Sequence, residues 1–574
     1  MKSLPVLKNT LAFREPAVLI TLTLILGILL LLVILPATSM LRESFIESDG
    51  SFTLRRYVEF FSSSYFRHTL YNTLAIAGIA TALALVLGFL FAYTIVRTKV
   101  PLRGFFGLVV LVPMLLPAFL IAFSLILLLG RNGIINQNLF RLAEALGMSN
   151  PELLQIQLYG PGGVILAQTL SFFPMSFLLF RSALSAIDPR MEEAAADLGA
   201  GYWYTLFRVT IPLMAPAAFG SALLLFMFNA SAFGAPALLG GRGLFFGNAS
   251  MLAPEAILQT LGARSDWGMG ATLAVVLVIP SLALYFTGEY YLKKRSYITV
   301  SGAPTAFQPQ EVPKIVRWML FTLCLLVSLF ILSIVLVVAL GAFTRTWGVN
   351  YSFTWRHMET ALTASRRSIN NSIILSATGG FAAAFFGTLS AYMFIRKPFF
   401  GVKVLDFISM LPYALPGMVM GLGFAIAFSG RISFLIISGT WSIIALNHFI
   451  RRMPYGIRSA ASSLKQIDPT IEEAAADLGG KPIYSFFRIS LPLLKASFFA
   501  SFVFGFINMM TDITAVIFLV SPRWRLLSVD IFNAIDAARY GTAAALSLIM
   551  IGSTLLVLYL VQVLFRVKID LTRR

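Results

Sequence analysis

One stretch of 27 residues occurs twice in this chain. Ile187–Leu213 reads IDPRMEEAAADLGAGYWYTLFRVTIPL and Ile467–Leu493 reads IDPTIEEAAADLGGKPIYSFFRISLPL; they align without a gap at an offset of 280, with 16 of 27 positions identical. A long segment carried twice constrains the fold to two repeats of one architecture. Neither copy is apolar enough to cross a bilayer, yet each lies between long apolar runs. The repeated unit is therefore a polar connection within a membrane domain, and its duplication suggests a surface that two copies of one partner can grip.

The local chemistry of each copy predicts a short capped helix. Asp188 is placed to N-cap it, and Pro189 then falls at the first helical position, where its missing N–H costs nothing; Asp468 and Pro469 repeat this. Glu192 and Glu193, like Glu472 and Glu473, fall in the first turns, where the helix dipole favours carboxylates. Ala194, Ala195 and Ala196 match Ala474, Ala475 and Ala476, strong helix formers without bulk. Gly199 and Gly479 are the expected stops. A second short helix should end before Pro212 and Pro492. For one copy alone, an ordinary capped connecting helix would be an equal alternative; duplication at this identity disfavours it.

Hydrophobic residues make up 58% of the 574 positions and the mean hydropathy is +0.84, which excludes a soluble globular fold. A span needs about 20 apolar residues. Twelve stretches qualify: 17–37, 69–95, 105–129, 161–180, 213–233, 268–292, 318–342, 370–395, 404–428, 433–450, 496–519 and 541–565. The first is too long for the apolar core of a signal peptide and is read as a retained helix. An even number puts both termini on one side. Connecting segments on that side carry 28 Lys and Arg, against 16 on the other, so the termini and both duplicated segments are expected in the cytoplasm. The formal charge of +19 is then orienting charge rather than a nucleic-acid footprint, and no nucleic-acid-binding motif is present. The single cysteine, Cys324, lies in an apolar run and has no partner for an internal disulfide.

The duplication extends beyond the 27 residues. Asn72-Thr73 matches Asn371-Ser372, Ala92-Tyr93 matches Ala391-Tyr392, Arg97 matches Arg396, Pro113 matches Pro412 and Pro117 matches Pro416, all at an offset of 299. The fall to 280 by Ile187 leaves 19 extra residues in the first half, and the external loop near Arg131 to Gly160 is the natural place for them. The reading is an all-α membrane protein of about 12 transmembrane helices: residues 1–295 form a first six-span repeat, 296–316 a cytoplasmic linker, and 317–574 a second repeat. Six spans between equivalent points make the repeats parallel, unlike the inverted repeats of many secondary transporters.

No site for ATP hydrolysis is encoded. The nearest approach to a phosphate loop, Gly479-Gly480-Lys481-Pro482, has Ala475 where the earlier Gly belongs and Pro where Mg²⁺ needs Ser or Thr. The three histidines, His68, His357 and His448, are far apart and no cysteine cluster exists, so no metal centre is expected. Ionisable groups within spans are costly and functional by default. Asp512, in the eleventh span with Asn508 and Thr511 beside it, is the main one; Asn229 and Ser231 occupy the corresponding region of the first half. These five are candidates for a translocation path, the alternative for Asp512 being an interhelical hydrogen bond. Pro113, Pro117, Pro412 and Pro416 should kink helices, at a gate or simply in packing.

Glu-Ala-Ala, three residues, Gly, nine residues, then apolar-x-apolar-Pro is the pattern of the permease subunits of binding-protein-dependent ABC importers of the type I fold. Glu193-Ala194-Ala195, Gly199, Val209, Ile211 and Pro212 resemble it, with Val209 and Ile211 as conservative departures; Glu473-Ala474-Ala475, Gly479, Ile489, Leu491 and Pro492 match it throughout. The resemblance covers nearly the whole chain. It implies that each segment is a coupling helix, with Glu192, Glu193, Ala194, Ala195 and Gly199, and Glu472, Glu473, Ala474, Ala475 and Gly479, meeting the cytoplasmic ATPase. It also implies a fifth span in each half that lines the path, two copies of one ATPase subunit holding ATP and Mg²⁺, an external substrate-binding protein, no cofactor on this chain, and residence in a bacterial inner membrane.

Fusion of two six-span halves most resembles the ferric-iron permeases, as do Phe233-Gly234-Ala235-Pro236-Ala237-Leu238-Leu239-Gly240-Gly241 and Ile513-Thr514-Ala515-Val516-Ile517-Phe518-Leu519-Val520-Ser521-Pro522. That group commonly has Asp before the Phe-Gly pair, where Ala232 stands here. The implied cargo is ferric iron, with thiamine or an aminoalkylphosphonate as alternatives on the same architecture. The rival class is an ion-coupled secondary transporter, which would depend on Asp512.

Overall fold

A computed structural model describes residues 16–47, 49–188, 190–240, 245–294, 312–397, 399, 401–430 and 435–565. The first half opens with α1 (Pro16–Phe45), the short α2 (Arg55–Ser62) and α3 (Ser64–Arg97). Then come α4 (Arg103–Val109), α5 (Ala118–Leu129), α6 (Ile134–Ala145), α7 (Pro161–Ala186) and α8 (Arg190–Asp197). It closes with α9 (Tyr202–Ala230), α10 (Gly234–Leu239), α11 (Leu252–Leu261) and α12 (Trp267–Lys294).

The second half repeats the order. It runs through α13 (Lys314–Phe343), a two-stranded antiparallel hairpin of β1 (Thr344–Thr346) and β2 (Asn350–Phe353), α14 (Arg356–Ala364) and α15 (Arg366–Arg396). The broken pair α16 (Val402–Ala414) and α17 (Gly417–Ala427) follows, then α18 (Trp441–Leu464) and α19 (Thr470–Asp477). The chain continues with α20 (Ile483–Leu493), α21 (Lys495–Met510), α22 (Leu527–Asp536) and α23 (Tyr540–Phe565).

Among the described residues nine helices are long and apolar enough to cross a bilayer, eleven when each sharply bent pair counts as one span. The remaining one of the twelve expected spans corresponds to α18. Its 24 residues cover about 36 Å, but Asn447, His448, Arg451 and Arg452 make it too polar for a hydropathy test. That polarity displaced the sequence estimate to 433–450, and Arg451 and Arg452, counted above among the loop charges, lie inside the helix instead. Arg458 lies in the same helix, and with all three set aside the asymmetry persists. The 19 extra residues of the first half form α6 and the turn Pro151–Leu154. The proposed linker lies outside the described residues as far as 311, and α13 starts at Lys314.

Packing follows the repeat. The densest contacts are α3 against α7 and α15 against α18, helix pairs with small residues at the crossing. A Cβ on Gly387 would stand 2.7 Å from the Cα of Gly456. The halves also interlock. The end of α1 packs on α17 of the other half as well as on α12, while α13 packs on α5 of the other half and on α23. The matched polar residues do the same work twice. Asn72 donates to the carbonyl of Ala249 at 3.1 Å and the amide of Leu252 donates to Thr73 at 2.8 Å; Asn371 donates to the carbonyl of Arg525 at 3.1 Å and the amide of Leu527 to Ser372 at 2.7 Å. Each pair ties its long helix to the loop that enters α11 or α22.

Pro117 and Pro416 break helices rather than merely kink them, whereas Pro412 lies inside α16. Pro416 caps α17 directly after α16 ends, and the two helices meet at 106°. Pro117 caps α5 in the same way, after the 3₁₀ turn Val112–Leu115. A proline cannot donate the backbone bond that would continue the preceding helix, and it favours an extended residue before it.

Candidate functional site

The two duplicated helices, α8 and α19, form as expected from their sequence. The amide of Arg190 donates to Asp188 and that of Thr470 to Asp468, each at 3.0 Å, the capping bonds predicted. The Thr470 amide also holds the Asp468 carboxyl below the usual carboxylate range. Gly199 and Gly479 take φ of 85° and 83°, and the amides of Ala200 and Gly480 return to the carbonyls of Ala195 and Ala475 at 2.9 and 2.8 Å. Only a residue without a Cβ adopts that φ at little cost, so glycine ends both helices. Pro189 lies outside the described residues.

The two glutamates of each copy differ in burial. Glu192 is 2% exposed, pairs with Nε of Arg97 at 3.2 Å and accepts from the Thr210 hydroxyl at 2.8 Å. Glu472 pairs with Nε of Arg396 at 3.3 Å and accepts from Ser490 at 2.9 Å. Arg396 further donates to the carbonyls of Leu464 and Ile467, as Arg97 does to Ile187. Thr210 and Ser490 sit in matching π-helical turns, Leu206–Thr210 and Phe486–Ser490, directly before the Ile211-Pro212 and Leu491-Pro492 steps. The inner glutamates, assigned above to the partner surface, thus fasten the short helix to the end of α3 or α15.

Glu193 and Glu473, with Ala194 and Ala474, are exposed, and Ala195 and Ala475 are half-buried. Sequence reasoning missed the apolar part of this surface. Leu198 and Leu478, next to the helix-ending glycines, are 89% and 91% exposed, and Trp203, Tyr204, Tyr484 and Phe487 add exposed rings. Their signal was present in the conserved spacing of the two copies, where Leu precedes Gly each time. Apolar side chains this exposed mark a contact with a protein or with the membrane.

At the centre, both halves enclose a cavity of about 270 Å³. Pro113, Pro117, Pro412 and Pro416 line it, so the helix breaks open onto it. Four of the five path candidates, Ser231, Asn508, Thr511 and Asp512, also line it. Asn229 does not. Its side chain donates to Thr81 at 3.0 Å, and its carbonyl accepts from Gln168 at 3.3 Å. At the offset of 280 the counterpart of Asn508 is Phe228, and one residue along a helix turns the side chain by 100°, onto the face packed against α3 and α7.

The cavity is symmetric in position and asymmetric in charge. Ser171, Phe172 and Met175 of α7 line one side, and their equivalents at the offset of 280, Arg451, Arg452 and Tyr455 of α18, line the other. Ala232 likewise matches Asp512. Arg451 donates to the Asp512 carboxylate in a buried ion pair, Ser528 donates to the Asp512 carbonyl at 2.7 Å, and Arg452 lies against the Asn508 carbonyl at 3.5 Å. Asp512 therefore combines both sequence readings, facing the cavity and bonding between helices. Among the described residues no group of three His, Cys, Asp or Glu is arranged to hold a metal ion.

Two parallel repeats, each carrying a Glu-Ala-Ala helix, around a shared central cavity define an inner-membrane permease of a binding-protein-dependent ABC importer. Residues 84–296 match the family described as the binding-protein-dependent transport system inner membrane component. The ferric transport system permease protein FbpB of Actinobacillus pleuropneumoniae is 29% identical over 561 residues, covering 94% of this chain and 77% of its own. The putative ferric transport system permease protein FbpB 1 of Haemophilus influenzae is 30% identical over 511 residues, 86% of this chain and 76% of its own. A putative 2-aminoethylphosphonate transport system permease protein, PhnV, of Salmonella paratyphi A is 28% identical over 230 residues, 39% of this chain and 84% of its own. The chain belongs to the FbpB family of transport permeases.

Proposed function

We propose that this permease imports ferric iron, delivered by an external binding protein and driven by a separate ATPase dimer that engages α8 and α19. The observation that carries the coupling role is the paired surface of Glu193 with Leu198 and Glu473 with Leu478, exposed at equivalent positions of both halves. Its near-identity in the two copies suits two identical ATPase chains, which hold the ATP and Mg²⁺. The greater positive charge on the side of both duplicated segments favours a cytoplasmic position for them and for both termini. The 29–30% identity to permeases named for ferric transport supports iron as cargo.

Closure of the ATPase dimer would draw α8 and α19 together. The ion pairs of Glu192 with Arg97 and Glu472 with Arg396 would pass that motion to α3 and α15, which border the cavity through α7 and α18. The cavity would then open alternately to the two sides at the Pro117 and Pro416 breaks. Ferric ion is hard and prefers oxygen ligands, which the binding protein can supply, so the path needs only to bind weakly. Asp512, the main resource of an ion-coupled secondary transporter, is engaged by Arg451, which argues against that class. Radiolabelled iron uptake in cells with and without this chain tests the cargo. Unchanged uptake in an otherwise iron-transport-deficient strain would remove iron and leave thiamine and the aminoalkylphosphonates.

A further inference from the structure

The charge of the central cavity points to cargo of one sign. Among its described lining residues the charged groups are Arg451, Arg452 and Asp512, so one positive charge remains after the Arg451–Asp512 pair. The rest of the polar lining is neutral, made of serine, threonine and tyrosine hydroxyls such as those of Ser231, Tyr455 and Thr511, and the Asn508 amide. A further feature adds positive potential. The broken helices α5 and α17 both begin at the cavity, where Pro117, Ala118, Pro416 and Gly417 line it. The first bonds back to the caps come from Leu120 and Val419, so the amides that precede them head each helix without an intrahelical acceptor. Such helix starts favour anions.

A bare trivalent cation would be repelled by this lining, and the repulsion grows as water is excluded. We infer that the cavity admits cargo bearing an oxyanion, with Arg452 as its principal contact, so that ferric iron passes as an anionic complex with a hard-oxygen chelator rather than as the free ion. Guanidinium forks match carboxylate and phosphate oxygens, and a lysine supplies charge without the fork. The inference rests on the reading of this cavity as the transport path. The oxyanion could equally belong to an iron-free phosphonate, a source the test separates.

The test uses the complete importer in an iron-transport-deficient strain. It is given ⁵⁵Fe(III) complexed with ¹⁴C-labelled methylenediphosphonate, or ¹⁴C-labelled 2-aminoethylphosphonate without iron. The expected result is entry of both labels of the complex together. Arg452→Gln should lower uptake about tenfold or more, the worth of a lost charge-assisted hydrogen bond, while Arg452→Lys at equal membrane abundance should restore part of it. Entry of ⁵⁵Fe without the ¹⁴C label, or iron uptake undiminished in Arg452→Gln, overturns the inference while leaving iron import standing. Entry of the aminoethylphosphonate alone, sensitive to Arg452, upholds the oxyanion site and removes iron as the cargo.

Discussion

Arg97 and Glu192 meet at 3.2 Å, both almost fully buried, and join the end of α3 to the duplicated helix α8. Arg396 and Glu472 form the same junction at 3.3 Å between α15 and α19. The two glutamates of each Glu-Glu-Ala-Ala segment are therefore unequal: the first is structural, and the second faces outward. Glu192→Gln should lower the melting temperature of the purified permease and Glu193→Gln should leave it unchanged. Breaking one side of a buried pair costs about 3–5 kcal/mol, whereas an exposed charge contributes little. Equal melting temperatures would contradict the division of roles.

Leu198 and Leu478 extend from the helix ends into open space. The double variant Leu198→Asp, Leu478→Asp should fold normally and reach the membrane, yet lose co-purification with its ATPase by about tenfold or more, as expected when hot-spot residues are removed. Retained co-purification would place the docking surface elsewhere.

Asp512 and Arg451 form a pair that is costly to break and less costly to remove whole. Asp512→Asn leaves a buried guanidinium without its counter-charge and should destabilise the chain by about 3–5 kcal/mol. Arg451→Met with Asp512→Leu should regain much of that stability in thermal unfolding while transport stays impaired. Full transport by the double variant would show that the pair only holds α18 to the segment after α21.

Gly387 faces Gly456 where α15 crosses α18, with room for no Cβ. Gly387→Ala should cost about 1–3 kcal/mol by overpacking, measured as a lower melting temperature, with a larger loss for Gly387→Leu. Gly401, whose added Cβ would meet nothing within 4 Å, has a positive φ instead, so its substitution tests backbone strain alone.

The duplication made most of the architecture legible. Matched residues such as Asn72 and Asn371, or Arg97 and Arg396, make matched bonds, because an unbroken offset preserves both the helix face and the neighbour. The caps at Asp188, Asp468, Gly199 and Gly479 were readable because capping is local chemistry. Tertiary direction was less accessible. Nothing local distinguishes Glu192 from Glu193; the 100° between them becomes decisive only when α3 brings Arg97 to one face. Asn229 lies in the region that corresponds to Asn508, but one residue off the equivalent position, and so faces α3 and α7 rather than the cavity. Arg451 and Arg452 were read as loop charges because hydropathy recognises spans that face lipid or apolar protein. A helix lining a polar cavity is hidden from that test, and here it carries the cavity's cationic side.

The most direct measurement is uptake of radiolabelled ferric iron by cells whose only iron importer includes this chain, comparing wild type with Glu193→Ala, Glu473→Ala. Both glutamates lie on the exposed face of their helices. Coupling through the duplicated helices predicts that uptake falls to the level of a strain lacking the chain, while the variant remains in the membrane at normal abundance. Full uptake by the double variant would contradict it.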